Sequence, residues 1–198
     1  APTAEAAAPT TAPEPTAEPA KPGADKQGGT LVLGFYQEPE LLNPLIRTQT
    51  VASVAGTFFE RSLIGIAPEG EYFADLATEV PTVDNGLVSE DGLTITYNLK
   101  EGVVWEDGDP FDCEDLVFTW ETVVNPESGA VSTAGWEDVE SITCENDNMT
   151  AVFNYSQFYS PFLLQANDAV LPSHLGLDPA DMQNWELNRK PLSIGPFV

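Results

Sequence analysis

Carboxylates dominate any search of this chain for reactive groups. Between Tyr97 and Trp120 it reads YNLKEGVVWEDGDPFDCEDLVFTW. Asp107, Asp109 and Asp112 are spaced closely enough to suggest a calcium loop, because that ion takes several oxygen ligands from one short segment. The 12-residue pattern closed by a bidentate glutamate is missing, however. Turn and cap roles account for each of these acids, so no metal ligand is assigned. His174 is the lone histidine, which argues against a His-rich metal site and leaves little room for a Ser-His-Asp arrangement. Cys113 and Cys144 match no metal or redox spacing. A carboxylate pair of the glycosidase kind needs a separation of roughly 5 to 10 Å. Among 32 acidic residues some pairs meet that by chance, and nothing flags a particular one. No catalytic residue and no cofactor is expected, and the chain is read as a non-enzyme.

The charge balance narrows the partners. Seven Lys and Arg stand against 32 Asp and Glu, a formal net charge of −25. Nucleic acid is excluded as a partner, since phosphate binding needs clustered cations that release counterions. An anionic membrane surface is excluded by the same sign. A solvated acidic shell, a saline exterior or a cationic ligand fits. No window offers the roughly 20 apolar residues of a spanning helix, and no secretory signal with a basic start and apolar centre is present.

The elements that must position any site follow from pattern. Residues 1–29 are mostly Ala, Pro, Thr and Glu, without a large apolar side chain. Such a segment cannot bury enough surface to offset its ordering entropy, so a disordered, extended tether is expected. From residue 30 the composition is that of one domain. LVLGFY (31–36) predicts a buried strand. Val51, Val54, Ala55, Phe58 and Phe59 mark one helical face, with Thr48 or Thr50 as N-cap. LTITYNL alternates, placing Leu93, Ile95, Tyr97 and Leu99 on one side of a half-buried strand. Asp112 is set as an N-cap with Asp115 at N3, a variant of the capping box. Leu116, Val117, Trp120, Val123 and Val124 give the following helix its stripe, which Asn125-Pro126 stops. MTAVFNY predicts another strand. Ser160-Pro161 opens a helix through FLLQANDAV, and Asp178-Pro179 opens a second. LSIGPFV at the end reads as a strand entry cut short, so the chain is read as a fragment.

This order of elements resembles the extracytoplasmic solute-binding proteins of ABC importers, in the peptide, oligopeptide and nickel-binding family (bacterial family 5). LVLGFYQEPELLNPL is similar to that family's opening strand and its Asp-Pro or Asn-Pro loop. VSEDGLTITYNLKEGVVWEDGDPFDCEDLVFTWETVVNP resembles its signature of strand, glycine turn, DG-x-Pro-Phe and helix. AVLPSHL resembles its Pro-Lys-His segment, and SIGPFV its Gly-Thr-Gly-Pro-Tyr entry. Asn43 and Cys113 depart from the pattern, standing where aspartate and a small residue are usual. The resemblance implies an α/β fold, a mixed sheet with flanking helices of the type II periplasmic-binding-protein kind. Residues 30–198 would supply the first lobe with its smaller subdomain, without the second lobe.

What the resemblance implies for function is capture of a peptide or similar small solute outside the cell. Two lobes would close over it and deliver it to the membrane permease subunits. A nickel- or oligosaccharide-binding member is the alternative within the family, and a secreted carboxylate-dependent hydrolase the remote one. Ligand contacts are expected from Thr48, Gln49 and Thr50 after the Asn-Pro loop, and from Val131 and Ser132 after the signature helix. A helix start offers free N–H groups to a carboxyl or carbonyl oxygen, although the same residues serve equally as helix caps. Trp136 is either a flat cleft wall or ordinary core. In an oxidising compartment Cys113 and Cys144 pair across 31 residues or remain two separate buried thiols. A monomer is expected, anchored outside the cytoplasm by a lipidated residue upstream of Ala1.

Overall fold

The computed structural model describes residues 32–195 and Phe197; the tether assigned to residues 1–29 lies outside them. In chain order the elements are α1 (Thr50–Gly56), β1 (Ile64–Ile66), β2 (Tyr72–Ala74), β3 (Thr94–Asn98), α2 (Cys113–Val124), β4 (Val139–Glu145), β5 (Thr150–Tyr155) and α3 (Phe162–Gln165). Single turns of 3-10 helix occur at Trp136–Asp138, Ser173–Leu175 and Glu186–Asn188, and a longer one at Pro179–Asn184. No helix among the described residues is long and apolar enough to cross a membrane.

Alternation around Thr94 becomes a strand with the expected sides. Ile95 and Tyr97 are buried, whereas Thr94, Thr96 and Asn98 are half-covered. β3 pairs antiparallel with β5, and β5 pairs on its other edge with β4, giving the order β3-β5-β4. Tyr97 and Phe153, from adjacent strands, meet edge to face with ring centroids 5.3 Å apart, the arrangement ring quadrupoles favour. β1 and β2 form a separate antiparallel hairpin.

Helix α2 packs against β4 and β5, and its N-terminus carries side-chain acceptors for its first amides. The Asp112 carboxylate accepts from the Glu114 amide at 2.8 Å, and the Asp115 carboxylate accepts from the Asp112 amide at 3.3 Å, a reciprocal capping box. Burial around the helix is wider than the predicted stripe: Cys113, Asp115, Leu116, Thr119, Thr122 and Val123 are enclosed. Cys113 is joined to Cys144 of β4, with Cα atoms 5.7 Å apart. The bridge ties the first turn of α2 to the edge strand.

Five local expectations are corrected. Residues 32–36 form no strand; Val32 and Tyr36 are 85% and 82% exposed. An apolar run becomes a strand only where a neighbour takes its backbone groups, and no described strand lies beside this one. The N-cap of α1 is Gln49, between the two threonines proposed for that role, and it makes no side-chain cap bond. That helix stops at Gly56, so its buried side is Val51, Ala52 and Gly56 and Val54 faces out. Pro161 is itself the N-cap of α3, which ends at Gln165 rather than continuing to Val170. Tertiary bonds claim the backbone there: Ile64 N–H donates to Ala166 O at 3.0 Å and Val170 N–H to Arg61 O at 3.3 Å. Those bonds hold a turn at 166–168 and the strip that follows it beside 61–64. Finally, 192–195 form no strand, because Ile194 and Gly195 N–H both reach Phe59 O at 3.1 Å. A Cβ on Gly195 would stand 2.9 Å from Phe58 O, so only glycine permits that approach.

Candidate functional site

The segment before α1, the loop after α2 and the strip following α3 enclose a cleft of about 540 Å³, within the range of small-ligand sites. Val131, Ser132 and Trp136 are on its wall. Thr48, Gln49 and Thr50 are not on the wall, although Arg47 beside them is. Gln49 Oε1 is taken by the Glu40 amide at 2.8 Å. Val131 reaches the cleft because its N–H donates to Leu45 O at 2.9 Å, pinning the loop after α2 onto the segment before α1.

Trp136 is both core and wall. It is 6% exposed, its ring centroid lies 6.4 Å from that of Phe153, and its carbonyl accepts from Trp120 Nε1 at 3.3 Å. Its own Nε1 donates to Asp168 Oδ2 at 2.8 Å, on the cleft side. Tyr159 lies on the preceding residue: a Cβ on Gly135, whose φ is +84°, would stand 2.5 Å from the Tyr159 ring. Glycine there supplies both the left-handed backbone and the room for the ring.

The polar part of the wall is charged, and sequence reading missed it. Arg47 grips Glu60 with both guanidinium arms, one of them at 2.8 Å to Oε2. Burial still pushes the Glu60 carboxyl above its usual range, with Arg47 pulling the other way. Arg61 holds Asp75 through Nε and Nη2, at 3.1 and 2.6 Å to Oδ1. Partial desolvation raises the Asp168 carboxyl, opposed by the Trp136 N–H. Gln165, 5% exposed, accepts from the Tyr155 hydroxyl at 2.9 Å through Oε1, while its Nε2 has no partner among the described residues. Scarcity was the available signal. In a chain with only seven Lys and Arg, each basic residue has an unusual choice of acids, and two of them line one cleft.

His174 is turned away from this cleft onto the loop of the carboxylate run. Its Nε2 is 2.9 Å from Asp107 Oδ2 and its Nδ1 3.4 Å from Asp109 Oδ2. The hydrogen bond to His174 is the main cause holding the Asp107 carboxyl below its usual range. The run that first suggested calcium is therefore a clasp between the Trp105–Pro110 turn and the Ser173–Leu175 turn. Among the described residues no group of three or more His, Cys, Asp or Glu is arranged to hold a metal.

Solved structures of the type II periplasmic-binding-protein fold superpose on this sheet, its capped helix and the cleft beside them. The oligopeptide-binding protein AppA of Bacillus subtilis, in complex with a nonapeptide, matches with a TM-score of 0.71 at 23% identity, covering 80% of this chain and 31% of that one. NikZ of Campylobacter jejuni, in complex with Ni(L-His), matches with a TM-score of 0.69 at 24% identity, covering 81% and 30%. Residues 71–198 match the model of the bacterial extracellular solute-binding proteins, family 5 (middle). The chain belongs to that family. Protein XP55 of Streptomyces lividans is 29% identical over 188 residues, 92% of this chain and 33% of its own length. AppA is 29% identical over 180 residues, 88% and 32%. The chain thus spans about a third of the length of the curated relatives it matches.

Proposed function

We propose that residues 30–198 supply one lobe of an extracytoplasmic receptor that captures a peptide and passes it to the permease subunits of an ABC importer. The observation that carries this is the cleft of about 540 Å³ walled by Trp136, Tyr159, Val131 and Ser132, in a chain of family 5. A wall that mixes flat aromatic faces with polar groups suits a peptide of varied sequence, since water can fill what each side chain leaves empty. AppA, similar over most of this chain, was solved with a nonapeptide, and several relatives are named oligopeptide-binding proteins, which supports a peptide. Capture requires no bond to be broken, consistent with a family of binding proteins. The receptor acts as a monomer and is held to the cell surface by a lipid; mass spectrometry of the natural N-terminus finding no lipid would refute the anchor.

The test is calorimetry on the protein expressed from its natural gene. Peptides of three to nine residues, a nickel–histidine complex and an oligosaccharide are titrated separately. Saturable binding of peptides alone is expected. Binding of the nickel complex or the sugar without any peptide would overturn the peptide assignment, and turnover of the peptide would overturn the receptor role itself.

A further inference from the structure

We infer that Asp168, with Gln165 beneath it, forms a subsite for a cationic group on the captured ligand, either an ammonium or a guanidinium. This rests on the peptide-receptor reading above and names the chemistry its cleft selects.

Three observations converge on the pair. First, Asp168 lines the cleft and stays exposed there. Its Oδ2 accepts from Trp136 Nε1 at 2.8 Å, and its Oδ1 has no hydrogen-bond partner among the described residues. Second, the cations nearby are already engaged. Arg47 is spent on Glu60 and Arg61 on Asp75. Neither forms an ion pair with Asp168, which faces the cleft as a carboxylate without a counter-charge among the described residues. Partial desolvation raises its carboxyl, opposed by the Trp136 N–H and by no cation. Third, Gln165 lines the same cleft, and its buried Nε2 has no acceptor among the described residues. A buried amide N–H without a partner costs about 1–3 kcal/mol, so a carbonyl oxygen arriving beside it is favoured.

Together the two side chains offer an acceptor for a cation and a donor for an oxygen. A peptide presents that complement where a basic side chain or the α-ammonium stands next to a backbone carbonyl. The Trp136 and Tyr159 rings lie on the same wall, and aromatic faces attract a desolvated cation. The overall charge of −25 adds long-range attraction for such a ligand. The competing role for Asp168 is to hold the Trp136 indole in place and nothing more. Asparagine would retain that role, since its side-chain oxygen still accepts from Nε1.

The experiment uses the protein expressed from its natural gene and alanine tetrapeptides in which a single Lys is scanned through every position. Each has a norleucine isostere and an N-acetylated form, and affinities are read by calorimetry. Wild type is expected to prefer Lys over norleucine, or the free amine over the acetylated end, by about tenfold at one position, the scale of a charge-assisted hydrogen bond. Asp168→Asn should abolish that preference and Asp168→Glu should retain it. Equal binding of Lys and norleucine peptides by wild type, with no effect of acetylation, overturns the subsite and leaves the peptide receptor standing. So does a D168N variant that weakens both peptides alike while keeping their ratio. No binding of any peptide overturns the receptor reading and the subsite with it. Should D168N fail to fold, Asp168→Ser, which also removes the charge, takes its place in the comparison.

Discussion

Asp115 and Ser173 are 58 residues apart, yet one carboxylate oxygen holds both polar groups of the serine. Oδ1 accepts from Ser173 N–H and from its hydroxyl, each at 2.8 Å. Oδ2 accepts from Trp105 Nε1 at 3.1 Å and closes the capping box of α2. One buried side chain thus joins the signature turn, the helix start and the strip that carries Asp168 toward the cleft. Thr119, a turn along, repeats the link by accepting from Leu171 N–H at 2.9 Å.

Replacing that carboxylate should therefore cost more than a cap. Asp115→Asn keeps the volume but swaps an acceptor for an N–H where four donors converge. At about 1–3 kcal/mol for each buried donor left unpaired, a loss of roughly 3 kcal/mol is expected. Urea denaturation measures it, and a change below about 0.5 kcal/mol, the size of an ordinary surface substitution, would show that the network contributes little. Thr119→Val should lose about 1–2 kcal/mol, one unpaired amide's worth.

The bridge between Cys113 and Cys144 acts on the same helix from its other side. Cross-linking across 31 residues restricts the unfolded chain by about 3–4 kcal/mol in the loop-entropy account. Denatured, unreduced protein should show no reactive thiol. The double variant with alanine at both positions should melt several degrees lower, with its sheet intact by far-UV circular dichroism. Two titratable thiols in the denatured protein would remove the bridge.

Acid titration separates two kinds of carboxylate. Asp107, held down mainly by its hydrogen bond to His174, has a folded pKa below its usual 3.8. The unfolded state then binds the proton more readily, so this clasp contributes stability above pH 3.8 that is lost as pH falls through and below it. Glu60 and Asp115 are raised by burial from 4.5 and 3.8. Their folded forms take up the proton first, so stability rises as pH falls from neutrality toward those values. The melting temperature should rise as pH falls toward the unfolded values of 4.5 and 3.8 and drop as pH falls on below 3.8, the pattern such linkage produces. Asp107→Asn should flatten the drop and leave the climb. A profile that declines steadily from pH 7 downward would contradict the assignment for Glu60 and Asp115.

Local rules made much of this architecture legible. Asp112 with Asp115 announced a helix start by spacing alone, and the alternation through Ile95 and Tyr97 announced a strand with its sides. Both depend on neighbours within a few residues. The apolar run at 32–36 and the helix begun at Pro161 failed for the opposite reason. Whether Leu33 pairs, or whether Ala166 continues a helix, is decided by backbone groups far away, such as the Ile64 amide that takes Ala166 O. The cleft was half legible. Family resemblance pointed to Val131, Ser132 and Trp136, which share one wall with Arg47, Glu60, Arg61, Gln165 and Asp168. Those five carry no short-range pattern: Glu60 faces Arg47 across 13 residues and Trp136 reaches Asp168 across 32. Only the folded backbone brings them together.

Gly135 tests whether that wall must be shaped as it is. Its φ of +84° is one that other residues adopt only with strain, and an added methyl carbon would meet the Tyr159 ring at 2.5 Å. Gly135→Ala should therefore cost about 1–3 kcal/mol through backbone strain alone. The ring must also move, and it borders the cleft. Peptide affinity should fall further than the melting temperature implies, with an altered near-UV signal from Trp136 next to it. Tyr159→Ala in the same background separates the two effects: with the ring gone the strain remains but the steric conflict does not. The double variant should be no less stable than Tyr159→Ala with the strain added. If G135A instead binds peptides as wild type does while losing stability, Tyr159 is packing for the loop and not part of the binding wall.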